Sequence, residues 1–409
     1  MPKAPKTTRA RVALAVTAGL ALSAALAAPG AHALSRAVVL DHGRSLALLT
    51  RQVTTRAEVL VTLGELAFKS DFLLEGSPAR NIGAHITCDT CHPDGGASRV
   101  IFFEGLSDKP GNLDVTNRAI SLIEDGIRNP LNVPSIRGAA VTAPFARDGR
   151  FESVEDFTLF AIANEFAGGT PSDLVIESLV AYQDALGFAD NALLDAAGRL
   201  TDSAPEAARR GEAVFARPVP GAAALSCAGC HVPADNFVDH ASHDVGTGRA
   251  GRAGKAFDTP TLRDTLITPP YLHDGRYDTL AEVVDYFDGF FALDLSADER
   301  ADLTAYLEAV GGGTHAAPAG DGAMHPETAV ALLGAALADD DWLLTRMLVP
   351  KLTTELADWR GGAGAPADAV ITGWIARLRR IEAQVKSQDF AGARLTLDER
   401  AAAIAEVAG

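Results

Sequence analysis

The sequence predicts a mainly α-helical protein with two tandem domains of one type, followed by a C-terminal helical extension. Two five-residue motifs at 88–92 and 227–231 contain all four cysteines of the 409-residue chain. A stretch downstream of each motif recurs without a gap at an offset of 126 residues. Apolar residues recur at helical spacing in much of the remaining chain. A duplication of one helical domain accounts for all three observations.

The first 33 residues have the pattern of a secretory signal peptide. Four basic residues precede the apolar run 12–27, and Ala31-His32-Ala33 supplies a small-x-small cleavage pattern. The run is shorter than the roughly 20 apolar residues that a membrane span requires, and no later run approaches that length. We therefore expect a soluble, periplasmic protein that begins at Leu34.

The charge of the mature chain is strongly acidic. Removing residues 1–33 takes away four basic and no acidic residues, so the formal charge moves from −17 to −21. This balance argues against nucleic-acid and anionic-membrane partners. It favours steering of a basic soluble partner, or else it reflects only a solvated acidic surface.

Both cysteine motifs read C-x-x-C-H, the attachment signature of a c-type haem. Two cysteines three residues apart lie on one face of a helical turn, so both sulfurs can form thioethers, and the next histidine can ligate the iron. The alternatives are a disulfide redox motif and a zinc site with four thiolates, but neither explains a histidine after both pairs. The sequence thus predicts two covalently attached haem c groups, held by Cys88, Cys91 and His92 and by Cys227, Cys230 and His231.

The repeat downstream of the motifs aligns Asn132–Arg150 on Asp258–Arg276. Seven positions are identical: Pro134, Arg137, Thr142, Pro144, Asp148, Gly149 and Arg150 match Pro260, Arg263, Thr268, Pro270, Asp274, Gly275 and Arg276. Similar short segments, Gly64–Phe68 and Gly211–Phe215, lie ahead of the two motifs as entry helices. We therefore assign residues 34–200 and 201–313 to two cytochrome c-type domains.

Local sequence patterns predict three further helices, one ahead of the first motif, one at the end of the second domain and one in the tail. A helix from Ser35 to about Leu74 is expected ahead of the first motif. Ser296–Glu299 has the pattern of a capping box, and three glycines at 311–313 end the helix that follows it. In the extension, residues 314–409, one apolar helix face is formed by Ile371, Trp374, Ile375, Leu378, Ile381 and Val385.

With N-x-P-S and T-A-P-F-x-x-D-G-R in one domain and T-P-P-Y-L-H-D-G-R-Y in the other, residues 63–310 resemble the bacterial dihaem cytochrome c peroxidase family, which includes MauG. The resemblance implies a peroxide-binding haem in the N-terminal domain and an electron-entry haem in the C-terminal domain. It implies a small soluble electron donor, either a c-type cytochrome or a copper protein. It also implies a calcium ion at positions matched by Asn132, Thr268 and Pro270, and it leaves a homodimer open.

Several positions depart from the family pattern. No histidine lies between His92 and His231, so the first iron is expected to keep an open sixth position. Arg147 stands where the family has a tryptophan between the haems, and Phe157 stands at the distal glutamine position. The usual sixth ligand of the second haem falls on Phe287, so either a one-residue shift makes Tyr286 the ligand or that haem lacks a strong one.

Glu165 is the approximate match to the family's distal glutamate. Peroxide cleavage needs a base that moves a proton between the two oxygens, and a carboxylate in a dry pocket can serve. We therefore assign catalysis to Glu165, with Arg147 as a charge stabiliser; the alternative for Glu165 is a solvated helix residue.

Three functions are compatible with these residues. The leading one is a periplasmic oxidoreductase that reduces hydrogen peroxide to water at the His92 haem with electrons that enter at the His231 haem. The second is a MauG-like oxidase that stores two oxidising equivalents across both haems and acts on a protein or organic substrate. The third is a non-catalytic electron-transfer cytochrome, which the lost glutamine and tryptophan positions favour.

Overall fold

The computed structural model describes residues 56–74, 86–121, 126–128, 130–248, 255–315, 326–358 and 368–407. It is 51% helical with few strands, which confirms the mainly α prediction. One compact unit comprises Phe68–Thr170 and Ile176–Ala319 and contains both motifs. The other comprises Met1–Ala67, Pro171–Val175 and Gly320–Gly409. The predicted signal peptide lies outside the described residues.

The helices of the described residues follow in chain order. They are α1 (Arg56–Phe68), α2 (Cys88–Cys91), α3 (Val154–Phe160), a π-helical turn (Ala161–Glu165), α4 (Asp173–Ala185), α5 (Glu206–Phe215), α6 (Cys227–Cys230), α7 (Leu280–Phe291), α8 (Ala297–Gly311), α9 (Pro326–Ala338), α10 (Trp342–Asp358), α11 (Asp368–Lys386) and α12 (Phe390–Val407). None of these helices is long and apolar enough to cross a membrane.

The described part of the predicted first helix ends earlier than the sequence suggests. Helix α1 stops at Phe68, and a separate 3₁₀ turn covers Asp71–Leu74. The hydroxyl of Ser70 accepts a hydrogen bond from the backbone N–H of Phe72 at 3.3 Å. A serine that bonds locally to the backbone competes with helix continuation, which explains the break inside an apolar stretch.

Each repeat contains a short two-stranded antiparallel ribbon between its motif and its Pro-rich loop. Strands β1 (Asn112–Leu113) and β2 (Leu131–Asn132) pair Asn112 with Asn132. Strands β3 (Ser242–His243) and β4 (Phe257–Asp258) pair Ser242 with Asp258. The two ribbons therefore hold equivalent places in the two repeats, since Asp258 is the repeat partner of Asn132.

The Pro-rich loops that follow the ribbons share one backbone path. Both contain a cis peptide, before Pro144 and before Pro270. Gly138 and Asp264, which are 126 residues apart, both adopt a left-handed conformation, with φ of 78° and 63°. The two loops therefore follow the same backbone path, which supports the duplication inferred from the sequence.

The core of the second repeat forms where α5 packs against α8. Its buried members include Phe215, Phe237, Leu303, Tyr306 and Val310. The predicted capping box is confirmed, because the Ser296 hydroxyl accepts from the N–H of Glu299 and the Glu299 carboxylate accepts from the N–H of Ser296. Helix α8 ends at Gly311, as the glycine run predicted.

The C-terminal helices form a separate layer of packed neighbours. Helix α11 packs against α10 and α12, and α9 packs against α10 and α12. The predicted apolar face of α11 is confirmed by the burial of Ile371, Ile375, Leu378, Ile381 and Val385. The assignment of 314–409 as an independent extension stays a prediction.

Candidate haem-binding and catalytic site

The first motif lies on α2, a single helical turn that threonines hold in place. The hydroxyl of Thr87 accepts from the N–H of Thr90 at 3.1 Å, and the hydroxyl of Thr90 accepts from the N–H of Thr87 at 2.9 Å. The N–H of His92 then donates to the carbonyl of Cys88 at 2.9 Å. This reciprocal cap lets four residues form a helix that presents both thiols in one turn.

The imidazole of His92 is oriented by the Pro-rich loop of its own repeat. Its Nδ1 lies 2.8 Å from the carbonyl oxygen of Pro134. A histidine that donates Nδ1–H to a carbonyl is fixed as the tautomer whose Nε2 can bind a metal. Burial lowers the pKa of His92 to about 4, so the ring is neutral, as a ligand must be.

The second motif, on α6, repeats this arrangement with different partners. The N–H of His231 donates to the carbonyl of Cys227 at 2.8 Å, and Nδ1 of His231 lies 3.2 Å from the carbonyl oxygen of Phe237. Burial lowers the pKa of His231 as well. Both histidines are therefore neutral and anchored through Nδ1 to a backbone carbonyl.

The cysteines fit haem attachment better than either alternative. All four thiols are unbonded, and burial raises the pKa of Cys88 and of Cys91 to about 12. Burial also raises the pKa of Cys227 and Cys230. Redox-active C-x-x-C pairs have lowered thiol pKa values, so these pairs do not fit that class.

A four-thiolate zinc site does not fit either. In the parts of the chain that the structure describes, the one group of three or more metal-ligating side chains is formed by Cys230, Asp239 and His243, whose ligand atoms lie within 4.8 Å of one another. The two cysteine pairs do not meet there. The chain's motifs thus suit two separate haems, each with two thioether bonds and one histidine.

Glu165 and Arg147 lie in the same electrostatic neighbourhood as the first motif. Glu165 ends the π-helical turn, and the next residue, Phe166, packs against the core that contains Cys91. Burial raises the pKa of Glu165, and Arg150 and Arg147 partly oppose the rise. The charge of Arg147 also lowers the pKa of His92. A π-helical turn is a frequent feature of functional sites.

Aromatic side chains, among them Phe157, pack together in this region. The ring of Phe151 lies 5.4 Å from that of Phe157 and 5.0 Å from that of Phe160. The guanidinium of Arg150 lies 5.0 Å from the Phe151 ring and 5.1 Å from the Phe160 ring. Phe157 thus belongs to an apolar cluster next to the π-helical turn, and the catalytic role of Glu165 stays a prediction.

The structure brings together two of the three predicted calcium positions. The Nδ2 atom of Asn132 lies 2.5 Å from the carbonyl oxygen of Pro270, and Thr268 lies two residues earlier in the same loop. Which end of an amide faces a neighbour is assigned from hydrogen bonding, and turning the amide over would present Oδ1 instead. Oxygen atoms of Asn132 and Pro270 would then face one another as ligands for a hard cation, and the calcium ion, with Thr268 as a third ligand, stays a proposal.

The phenol of Tyr286 is engaged by the backbone. Its hydroxyl donates to the carbonyl oxygen of Val245 at 2.6 Å, and its ring lies 5.6 Å from that of Tyr277. Burial raises its pKa, so the phenol stays protonated. Ligation of iron by Tyr286 would require this hydrogen bond to break.

Sequence reasoning missed Asp239, which lies beside the second motif. Asp239 accepts a hydrogen bond from Nε2 of His243 at 2.7 Å, four residues along the chain. Although burial acts to raise the pKa of Asp239, the hydrogen bonds from His243 and Thr259 outweigh it and lower the pKa. The i, i+4 spacing of an acid and a histidine was the available signal.

Comparisons with known proteins agree with this reading of the motifs. No protein-family model matches the chain. The gamma subunit of hydrazine synthase from Kuenenia stuttgartiensis is 26% identical over 287 residues, 56% of this chain and 74% of that protein. MauG, a methylamine utilization protein of Methylorubrum extorquens, is 32% identical over 125 residues, 25% of this chain and 33% of the relative. A cytochrome-c peroxidase of Pseudomonas sp. is 38% identical over 65 residues, 13% of this chain and 17% of that relative.

The class of protein follows from the fold, the motifs and these names. A mainly helical chain with two C-x-x-C-H motifs is an oxidoreductase of the c-type cytochrome class, and its relatives imply two c-type haems. The resemblance to the MauG and dihaem cytochrome c peroxidase family is confirmed. The chain spans no more than a third of the MauG and peroxidase relatives, so their activities extend to it only as proposals.

Proposed function

We propose that this protein is a periplasmic dihaem cytochrome that reduces hydrogen peroxide to water with electrons from a small soluble redox protein. The observation that carries the proposal is the pairing of Glu165 and Arg147 in the electrostatic neighbourhood of His92. No histidine lies between His92 and His231 to fill the sixth position of the first iron. A half-buried carboxylate such as Glu165 would supply the base that peroxide cleavage at such an iron needs.

A haem held by Cys88, Cys91 and His92 would supply the redox-active iron for peroxide reduction. The chain's residues supply the rest. Because Nδ1 of His92 is bonded to the carbonyl of Pro134, Nε2 is the nitrogen that His92 would offer to the iron. The Glu165 carboxylate accepts a proton from one peroxide oxygen and returns it to the leaving oxygen, and Arg147 stabilises negative charge on that oxygen. With two electrons and two further protons, hydrogen peroxide becomes two waters.

The second motif is the proposed entrance for electrons. Its histidine, His231, is neutral and anchored to Phe237, so its haem has a fixed proximal side. The formal charge of −21 without residues 1–33 favours a basic donor, either a c-type cytochrome or a copper protein. A calcium ion at Asn132, Thr268 and Pro270 would tie the two repeats together.

Steady-state turnover tests this function. The haem-loaded protein, with calcium present and after prior reduction, is given hydrogen peroxide and a reduced soluble cytochrome, and oxidation of the donor is followed by absorbance. We expect peroxide-dependent oxidation at two donor equivalents for each peroxide. Absence of turnover under these conditions would contradict the proposal.

A MauG-like oxidase is the second candidate, and the MauG relative favours it. Such an enzyme would keep two oxidising equivalents after peroxide is consumed and spend them on a protein or organic substrate. Peroxide is added without a donor, the excess is removed, and a reductant is titrated in after a delay. Recovery of two oxidising equivalents after minutes would favour this candidate over the peroxidase.

A further inference from the structure

The two repeats join through reciprocal backbone contacts. The N–H of Asn132 donates to the carbonyl oxygen of His273 at 2.9 Å, and the N–H of Asp258 donates to the carbonyl oxygen of Arg147 at 2.9 Å. Asn132 and Asp258 are 126 residues apart, and so are Arg147 and His273. The junction therefore has an approximate two-fold symmetry in which β2 meets the loop of the second repeat and β4 meets the loop of the first.

A second pair of contacts obeys the same symmetry. The Nδ2 atom of Asn112 donates to the carbonyl of Asp274 at 2.9 Å, and the hydroxyl of Ser242 donates to the carbonyl of Asp148 at 3.3 Å. Asn112 and Ser242 are the ribbon partners of Asn132 and Asp258. Four contacts thus map one side of the junction onto the other.

The symmetry breaks at one side chain. Asn132 donates its amide to the carbonyl of Pro270, whereas its counterpart Asp258 is an acid and, when ionised, has no hydrogen to donate. The Oδ1 atom of Asp258 is buried and has no hydrogen-bond partner in the described structure. Among the described contacts, none ends on the carbonyl oxygen of Pro144, the counterpart of Pro270. The Oδ1 atom of Asp258 therefore lies at the junction without a donor.

The charges around Asp258 leave it unbalanced. Burial, followed by the negative charge of Asp239, raises its pKa to about 7, and His240, a hydrogen bond from the backbone of Thr259, and His243 only partly oppose the rise. His243 is already bonded to Asp239, and His240 is bonded through Nδ1 to the Ala143 carbonyl and through Nε2 to Asp235. A buried carboxylate oxygen with no partner is costly unless a cation or a proton neutralises it.

We propose that the Asp258 side of the junction is a second divalent-cation site, distinct from the one expected at Asn132. Its ligands are the Asp258 carboxylate and the backbone carbonyl oxygens of Thr142 and Pro144, the counterparts of Thr268 and Pro270. These are hard oxygen ligands, which suit calcium, and solvent completes the coordination. The site joins the two repeats at the position equivalent to the first, with a carboxylate in place of an amide. It does not depend on peroxide chemistry.

Calcium titration of the haem-loaded protein tests the site. After treatment with a chelator, calcium binding is measured by calorimetry for the unaltered protein, Asp258→Asn and Asp148→Asn. Asp258→Asn reproduces the chemistry of the first repeat and supplies a donor for Pro144, so we expect it to fold, to keep both haems and to bind one calcium fewer per chain. Asp148→Asn removes an exposed acid of the same loop, paired with Arg150, and is expected to change nothing.

Equal calcium stoichiometry and affinity for the unaltered protein and Asp258→Asn would overturn the proposal and would indicate that a proton neutralises Asp258. The number of ions at the Asn132 site does not affect this comparison, and Asn132→Ala measures that site separately. If Asp258→Asn fails to accumulate, anomalous scattering from terbium-soaked crystals of the unaltered protein decides. A peak beside Asp258 supports the site, and its absence at millimolar terbium contradicts it.

Discussion

Gly211 of α5 lies so close to the backbone of Asp302 in α8 that an added Cβ atom would overlap the Asp302 carbonyl oxygen and press on the Cβ of Tyr306. The neighbouring side chains strengthen the same contact, because Arg210 donates Nε and Nη2 to the two carboxylate oxygens of Asp302 at 2.7 Å each. The close approach of the two helices therefore explains the glycine in this entry helix.

We expect Gly211→Ala to destabilise the protein by about 1–3 kcal/mol, because the backbone of α8 has to move to admit a methyl group. Gly289→Ala, in α7, is the matched control, since an added Cβ there meets nothing within 4 Å. That change removes a helical glycine at an open position and is expected to leave stability equal or up to about 1 kcal/mol higher. Denaturant unfolding of both haem-loaded variants checks this, and equal midpoints would contradict it.

The elements that the sequence predicted are those that local chemistry determines. The C-x-x-C-H turns, the capping box at Ser296 and the buried face of α11 each depend on residues within a few positions of one another. The predicted end of the first helix was wrong because the hydroxyl of Ser70 interrupts the helix, although the apolar pattern continues past it. Periodicity detects the apolar face but not a single competing hydrogen bond.

The parts of the candidate site that the sequence left open depend on long-range contacts. The family resemblance placed Asn132 beside the loop of the second repeat, but only the structure brings its counterpart Asp258 against the loop of the first. Likewise, the partner of each histidine is a backbone carbonyl, 42 residues away for His92 and six for His231. Every residue has a backbone carbonyl, so the sequence does not indicate which one the histidine bonds to.

Replacing one cysteine pair is expected to remove one haem and leave the other. Cys88→Ser/Cys91→Ser and Cys227→Ser/Cys230→Ser each delete two thioether bonds from one motif, and the remaining motif keeps its own histidine anchor. Haem per chain, measured by pyridine haemochrome absorbance, is expected to fall from two to one in each variant. An unchanged ratio in either variant would show that its motif holds no covalent haem.

Tyr286→Phe is expected to leave the second haem's spectrum unchanged. The phenol donates to the Val245 carbonyl, and its raised pKa keeps it protonated. It is therefore not available as an anionic ligand of the iron. Low-temperature electron paramagnetic resonance of the ferric protein checks this. The control is Tyr277→Phe, which removes the hydroxyl of the neighbouring ring. A change of spin state in Tyr286→Phe alone would instead identify Tyr286 as the sixth ligand.

Glu165→Gln is expected to lower peroxide turnover by about 10²- to 10⁴-fold, the usual contribution of a positioned acid–base group. Haem content is expected to stay the same, because Glu165 anchors neither histidine. Glu155→Gln, an exposed acid in the first turn of α3, is the matched control and is expected to keep full activity.

The pH profile separates a catalytic role from a structural one. Burial raises the pKa of Glu165, and the base works only when ionised, so turnover of the unaltered protein falls as pH drops through this raised pKa. The glutamine variant loses that acidic limb, and a limb that persisted in it would assign the base to another group.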